Sequence, residues 1–319
     1  MRLRHLALVA LSGLLTLGAA SGQHAAPPGG TGARLDGSTE STFTASVAKA
    51  RRTLSKADRA RFDQSMELAE HLFGDAATVR RSFNGAPVER VVQMGEMMLK
   101  KLDRNGDGKL DADELHAARG QLNSARMSAN ESAAQATLLN LASAQEQMRA
   151  MGTIDQDGDG HGEFAFIGEM AGNAGLRTSR GTPGDEHLQP PLLMPDRFQV
   201  SGSVVERTGY VFQVWLPGKD GAVAEAPRGG VGPAQPETEA AEHAWCAYAW
   251  PVKRGVTGNR VFFISQEHEV LASDNRSQRY NGRKRTPDAF AALPKGTREL
   301  GGKTGRGPRN DGGSWQRAR

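Results

Sequence analysis

Asp103-Arg104-Asn105-Gly106-Asp107-Gly108-Lys109-Leu110-Asp111-Ala112-Asp113-Glu114 is the stretch around which the rest of this chain can be placed. Oxygen-bearing side chains stand at its positions 1, 3, 5, 9 and 12, as Asp103, Asn105, Asp107, Asp111 and Glu114. Gly108 at position 6 permits a sharp turn, so the two halves can wrap one centre. Lys109 offers only its backbone carbonyl, Asp111 reaches the centre directly or through a water, and Glu114 can supply both carboxylate oxygens. Every donor is a hard oxygen, with no thiol or imidazole, so calcium is the expected ion rather than zinc or copper. The bland alternative is a solvated Asp/Gly turn, which leaves so complete a pattern without a cause.

Both flanks of the loop carry helical periodicity. Upstream, Val88, Val91, Val92, Met98, Leu99 and Leu102 fall on one side; downstream, a helix is expected from near Ala112 with Leu115, Ala118 and Leu122 inward. Helix, loop and helix together resemble an EF-hand over residues 88 to 127. The resemblance implies calcium held by Asp103, Asn105, Asp107, Lys109, Asp111 and Glu114, and a second loop paired with the first. Asp155-Gln156-Asp157-Gly158-Asp159-Gly160-His161-Gly162-Glu163 repeats the acids at positions 1, 3 and 5 and the glycine at 6. Its position 8 is Gly162 instead of an aliphatic residue, and its position 12 is Phe166. Two readings stay open there: a weaker cation site of Asp155, Asp157, Asp159 and Glu163 in a non-EF geometry, or an acidic turn ending the preceding helix.

The beginning of the sequence reads as an export signal over residues 1–20. Met1, Arg2, Arg4 and His5 form a basic start, Leu6 to Ala20 an apolar run, and Gly18-Ala19-Ala20 a small-residue cleavage point. That run is too short for a spanning helix, and nothing later is apolar enough to cross a bilayer. A periplasmic, cell-surface or secreted protein of the bacterial envelope is therefore expected, with no transmembrane segment in the mature chain. Residues 21–40 read as a flexible linker by their Gly and Pro content. Helical spacing then resumes at Phe43, Val47, Ala50 and Leu54, and Ser55 with Asp58 marks the start of a helix that breaks at Gly74. Residues 41–127 are accordingly expected to form a helical region.

The net charge of +4 is low for 319 residues and is unevenly placed. Residues 294–319 hold Lys295, Arg298, Lys303, Arg306, Arg309, Arg317 and Arg319 against Glu299 and Asp311, and read as a disordered basic tail. No nucleic-acid-reading motif accompanies it, so a specific nucleic-acid partner is not expected. Cys246 is the sole cysteine, which excludes an intramolecular disulfide, and its aromatic surroundings predict a buried thiol.

From Ser128 a second helix is expected, capped with Glu131 and carrying Ala134, Leu138, Leu141 and Met148 on one face. Strand patterns follow at Tyr210–Leu216, Ala244–Trp250, Arg260–Ser265 and Glu269–Ala272, with a Gly/Pro-rich, mobile insertion over 218–240. Thr286-Pro287-Asp288 marks a short last helix with Phe290 and Leu293 inward. The run Asn130-Glu131-Ser-Ala-Ala-Gln-Ala-Thr-Leu-Leu-Asn-Leu-Ala-Ser-Ala-Gln145 resembles the helix of type IV pilins and type II secretion pseudopilins. Gly209-Tyr210-Val-Phe-Gln, Ala249-Trp250-Pro251-Val252 and Gly258-Asn259-Arg260-Val-Phe-Phe-Ile resemble strands of the same head domain. This likeness covers residues 129 to 275 and implies a long helix packed on a small antiparallel sheet over 128–293. The apolar helix with which a pilin begins is absent; the calcium loop stands in its place.

The fold class expected is therefore α+β, a helical region with one EF-hand followed by the pilin-like domain. An exported, non-enzymatic calcium-binding protein is the expected function. An envelope assembly or adhesion component, with another envelope protein as partner, is the alternative. A hydrolytic enzyme is the third class, and no zinc-protease, nucleophile-elbow or phosphate-loop motif supports it.

Overall fold

The computed structural model describes residues 32–318 apart from 303 and 306, so the export signal and residues 21–31 lie outside the described residues. The fold is α+β, and the chain divides into two compact units between Arg126 and Met127.

The first unit is helical: α1 (Glu40–Thr53), α2 (Lys56–Phe73), α3 (Ala76–Ser82), α4 (Val88–Leu102) and the beginning of α5 (Ala112–Met151). The caps explain the boundaries. Thr39 and Thr42 close a reciprocal capping box on α1, and Ser55 Oγ accepts the Asp58 N–H at the start of α2. Gly74 ends α2 in the left-handed region at φ 76°, and Asp75 caps α3. Phe62, Met66, Ala69, Val79, Phe83, Val88 and Val91 form the core, as their helical spacing predicts. Leu68, Leu72 and Ala118 form a second cluster with Leu99, Leu102, Leu110 and Leu115 against it, which ties both flanks of the loop to α2. The expected linker is corrected over its described part. Leu35 is buried and exchanges backbone hydrogen bonds with Gly85 and Ala86, and Gly37 N–H donates to Asn84 Oδ1, so burial and hydrogen bonding together order the stretch.

In the second unit a fully antiparallel sheet runs in the order β1 (Val205–Arg207), β2 (Tyr210–Gly218), β4 (Cys246–Pro251), β5 (Val261–Ser265), β6 (Leu271–Ser273), β7 (Trp315–Arg317). β3 (Gly221–Ala224) pairs with the far half of β2. Period-two alternation divides the strands between two cores. Phe212, Val214, Ala247, Ala249, Phe262 and Ile264 join Leu138, Leu141 and Met148 of α5. Val211, Cys246, Tyr248, Trp250, Val261 and Phe263 point the other way, beneath Ala289–Leu293 and Trp315. Small residues at 247 and 249 leave room for the helix, while the aromatic residues fill the opposite layer.

Several expectations change. The two helices expected after the loop are a single one, since residues 112–151 contain no proline and only Gly120 among glycines. Glu131 does not cap a helix; its carboxylate accepts the Asn259 and Arg260 N–H groups at 2.9 and 3.2 Å and pairs with Arg260 Nε at 2.7 Å. Residues 218–240 are built into the fold as β3, a buried turn and the start of α6 (Thr238–His243). Their glycines serve tight turns: Gly230, at φ 71°, donates its N–H to Glu225 Oε1. Residues 287–293 are packed turns instead of a helix, though Phe290 and Leu293 are buried as expected. The basic tail is corrected too. Arg309 is buried, its guanidinium donating to the Thr304 and Gly305 carbonyls, and Trp315 packs edge-on against Tyr248 and Phe263. Cys246 is buried as expected, and burial pushes its thiol pKa well up.

Candidate metal centre

The first loop owes its shape to its own side chains. Asp103 accepts the Gly106 N–H on Oδ1 at 2.6 Å and the Gly108 N–H on Oδ2 at 2.8 Å. Asn105 Oδ1 accepts the Asp107 N–H, and Asp107 Oδ1 accepts the Lys109 N–H, at 2.9 and 2.8 Å. Glu114 Oε1 accepts the Arg104 N–H at 2.6 Å. Gly106 and Gly108 take φ of 76° and 78°, which lets successive N–H groups turn inward. Asp111 and Glu114 exchange hydrogen bonds, Asp111 Oδ1 accepting the Glu114 N–H and Glu114 Oε2 the Asp111 N–H. This is the capping box of α5, so one carboxylate both starts the helix and closes the loop.

The second loop repeats the first part of this scheme, without the capping exchange that closes it. Gly158 and Gly160 donate to Asp155 Oδ1 and Oδ2 at 2.8 and 3.1 Å, Asp159 N–H to Asp157 Oδ1, and His161 N–H to Asp159 Oδ1. Gly158 and Gly160 again have positive φ, 76° and 89°. The Gln156 N–H, at position 2, donates to Glu163 Oε1 at 2.9 Å, as Arg104 does to Glu114. Glu163 at position 9 therefore stands where Glu114 stands at position 12. Phe166, which occupies position 12 by count, is buried in the core instead. Gly162 is required at position 8, because a Cβ there would run into the Arg149 carbonyl at the end of α5.

The two loops differ in how closely their oxygens gather. Among the described residues, Asp155, Asp157 and Asp159 alone bring three carboxylate oxygens within 4.8 Å of one another. In the first loop position 3 is the amide of Asn105, and the Glu114 oxygens are turned to backbone N–H groups. Both donor sets suit a hard cation: carboxylate and amide oxygens, each with lone pairs beyond those its N–H partner uses. Lys109, expected to contribute through its carbonyl, keeps its side chain in solvent.

No family model, curated protein or solved structure matches this chain. The EF-hand and pilin likenesses accordingly rest on the residues quoted for them.

Behind the second loop lies a group of buried charges that the sequence did not single out. Arg177, fully buried, stands 3.6 Å from Glu163 Oε2 and 3.4 Å from Glu169 Oε1, and donates to the Phe164 carbonyl. Glu225, also buried, accepts the Gly168 and Gly230 N–H groups. Burial raises all three carboxyl pKa values, Glu163 to about 7 and Glu225 to about 8, with the Arg177 charge opposing it at Glu163 and Glu169. The nearby Glu242 carboxyl is raised as well, by burial first and then by Asp159 and Asp157. These positions are far apart in sequence, so only Glu163, which lies beside the Asp/Gly pattern, could be found by spacing.

Proposed function

We propose that this chain is an exported, non-enzymatic calcium-binding protein with a cation held by each of its two acidic loops. The observation that carries the reading is the shared hydrogen-bond scheme. Two loops of different length and sequence orient position 1, 3 and 5 oxygens in the same way and close on a glutamate. In the first loop Asp103, Asn105, Asp107, Lys109, Asp111 and Glu114 supply the ligands. In the second, Asp155, Asp157 and Asp159 do so, with Glu163 behind them. Export is supported by the basic and then apolar run of residues 1–20. Sites of this kind in extracellular modules bind at roughly 10⁻⁴–10⁻³ M, which suits calcium that supports structure more than calcium that signals.

Calorimetric titration of the full chain with calcium chloride tests the proposal. Two sites are expected, with Asp103→Ala/Glu114→Ala removing one and Asp155→Ala/Asp157→Ala the other. Absence of binding at millimolar calcium overturns it. The arrangement of α5 on the antiparallel sheet supports a second reading, an envelope assembly or adhesion component, since it is the architecture the pilin likeness implies. Recovery of one envelope protein by crosslinking on living cells would favour that reading.

A further inference from the structure

An open, solvent-facing cavity of about 530 Å³ in the sheet-bearing unit is lined by Lys253, Arg254, Arg279, Asn281, Lys284 and Arg285, all exposed except the half-buried Arg254. Five of these six side chains are cationic and none is acidic. Their neighbours are neutralised: Arg276 pairs with Asp274, and Arg283 with Glu206 at 2.7 Å. None of the five takes part in an ion pair within 4.0 Å among the described residues. The charge is thus concentrated by selective pairing around it, not by a general excess on the surface.

The walls are held by the fold. Arg254 N–H donates to Asn281 Oδ1 at 2.7 Å, and Asn281 N–H donates to the Arg285 carbonyl at 2.9 Å. Gly282 N–H donates to the Pro251 carbonyl, and Trp250 Nε1 donates to the Gly282 carbonyl at 2.7 Å, so both basic loops are anchored to the end of β4. One feature is costly without a ligand: Arg254 Nε is buried with no acceptor.

We infer that this cavity binds a multiply charged oxyanion of the phosphate or sulfate class. Guanidinium groups match such oxygens two at a time, and Lys253 and Lys284 add point charges. Among the described residues no aromatic or acidic side chain lines the cavity, so recognition rests on the anion itself. The inference is independent of the calcium reading, because the acidic loops take no part in it.

The test is titration of the full chain with inorganic pyrophosphate in calcium-free buffer, at a fixed ionic strength of about 0.15 M. Saturable binding at one site is expected, weakened at least ~10-fold in Arg254→Gln/Arg285→Gln. Lys253→Gln/Lys284→Gln, whose side chains are exposed and unpaired, should weaken it too, which keeps the test valid if the arginine variant fails to fold. Lys295→Gln/Arg298→Gln removes the same charge elsewhere and should leave binding unchanged. A parallel titration with linear polyphosphate separates the sources: tighter binding of the polymer indicates a phosphate-bearing chain, equal binding a free small anion. Absence of saturation, or an equal loss in the Lys295/Arg298 variant, overturns the inference.

Discussion

Single side chains in this protein hold together segments far apart in sequence. Gln145 is fully buried and pairs its amide with both backbone groups of Ala165, accepting at 2.8 Å and donating at 2.8 Å. It thereby fixes the segment that follows the second loop. Glu131 does the same for the corner at Asn259 and Arg260, with Asn130 Nδ2 donating to the Thr257 carbonyl beside it. Glu131→Ala leaves two N–H groups and a guanidinium without their acceptor, and a loss of about 2–3 kcal/mol is expected in urea unfolding. A double-mutant cycle with Arg260→Ala should show coupling, because part of that loss is the ion pair. Gly162 gives a sharper test. Gly162→Ala forces its Cβ against the Arg149 carbonyl, so calcium binding at the second loop should weaken while the first loop keeps its affinity. Equal weakening at both loops in calorimetry would show that the glycine serves something other than its own loop.

At the scale of elements, close approach is set by small residues. Gly95 in α4 lies against Ser65 in α2, and a Cβ at 95 would meet the serine side chain. Gly95→Ala is expected to cost about 1–3 kcal/mol by overpacking, despite the better helix propensity of alanine. Ser65→Gly in the same background should recover part of it, read as the shift in urea midpoint. Helices α1, α2 and α4 were legible because periodicity and caps are local: Ser55 and Gly74 mark ends that the structure shows, whereas the Thr39 cap of α1 lies in the stretch that reads as a linker. The single helix α5 was misread as two because Ser128 and Glu131 imitate a cap. What decides there is tertiary, since Glu131 is occupied by Arg260, more than a hundred residues away. The first half of each acidic loop was legible for the same local reason. Glu163 was legible as a candidate ligand beside the three acids, but not as the counterpart of Glu114, because that depends on where the end of α5 and the buried Arg177 place the chain.

For the molecule as a whole, the buried carboxyls set the pH dependence. Glu225 titrates near 8 and Glu163 near 7 when folded, against 4.5 as the ordinary value, and Glu169 is shifted the same way. Between those values the folded state holds protons that the unfolded state has released. The stability these groups contribute is therefore fully present below about pH 4.5 and is lost as pH rises through about 8. A fall on the order of a few kcal/mol between about pH 5 and pH 9 is expected in calcium-free buffer. Glu225→Gln keeps the acceptor for Gly168 and Gly230 but cannot ionise, so it should flatten the upper part of that fall in melting temperature. A profile identical to that of the parent chain would rule Glu225 out as a source. Added calcium should raise the melting temperature wherever the loop carboxylates are ionised, through a stabilisation of about 1.4 kcal/mol for an ion at ten times its dissociation constant.

Strand β7 has a consequence in time as well as in space. Ser273 pairs with Trp315, so the strand that covers Tyr248 and Phe263 is made 42 positions (273 to 315) after its partner. At 5–20 residues per second that is a delay of roughly 2–8 s, far longer than a hairpin needs to form. Throughout that interval β6 lacks its partner on one edge, and the aromatic layer that Ala289–Leu293 flank still lacks Trp315. The order of the chain thus makes β7 the last strand that this sheet can gain.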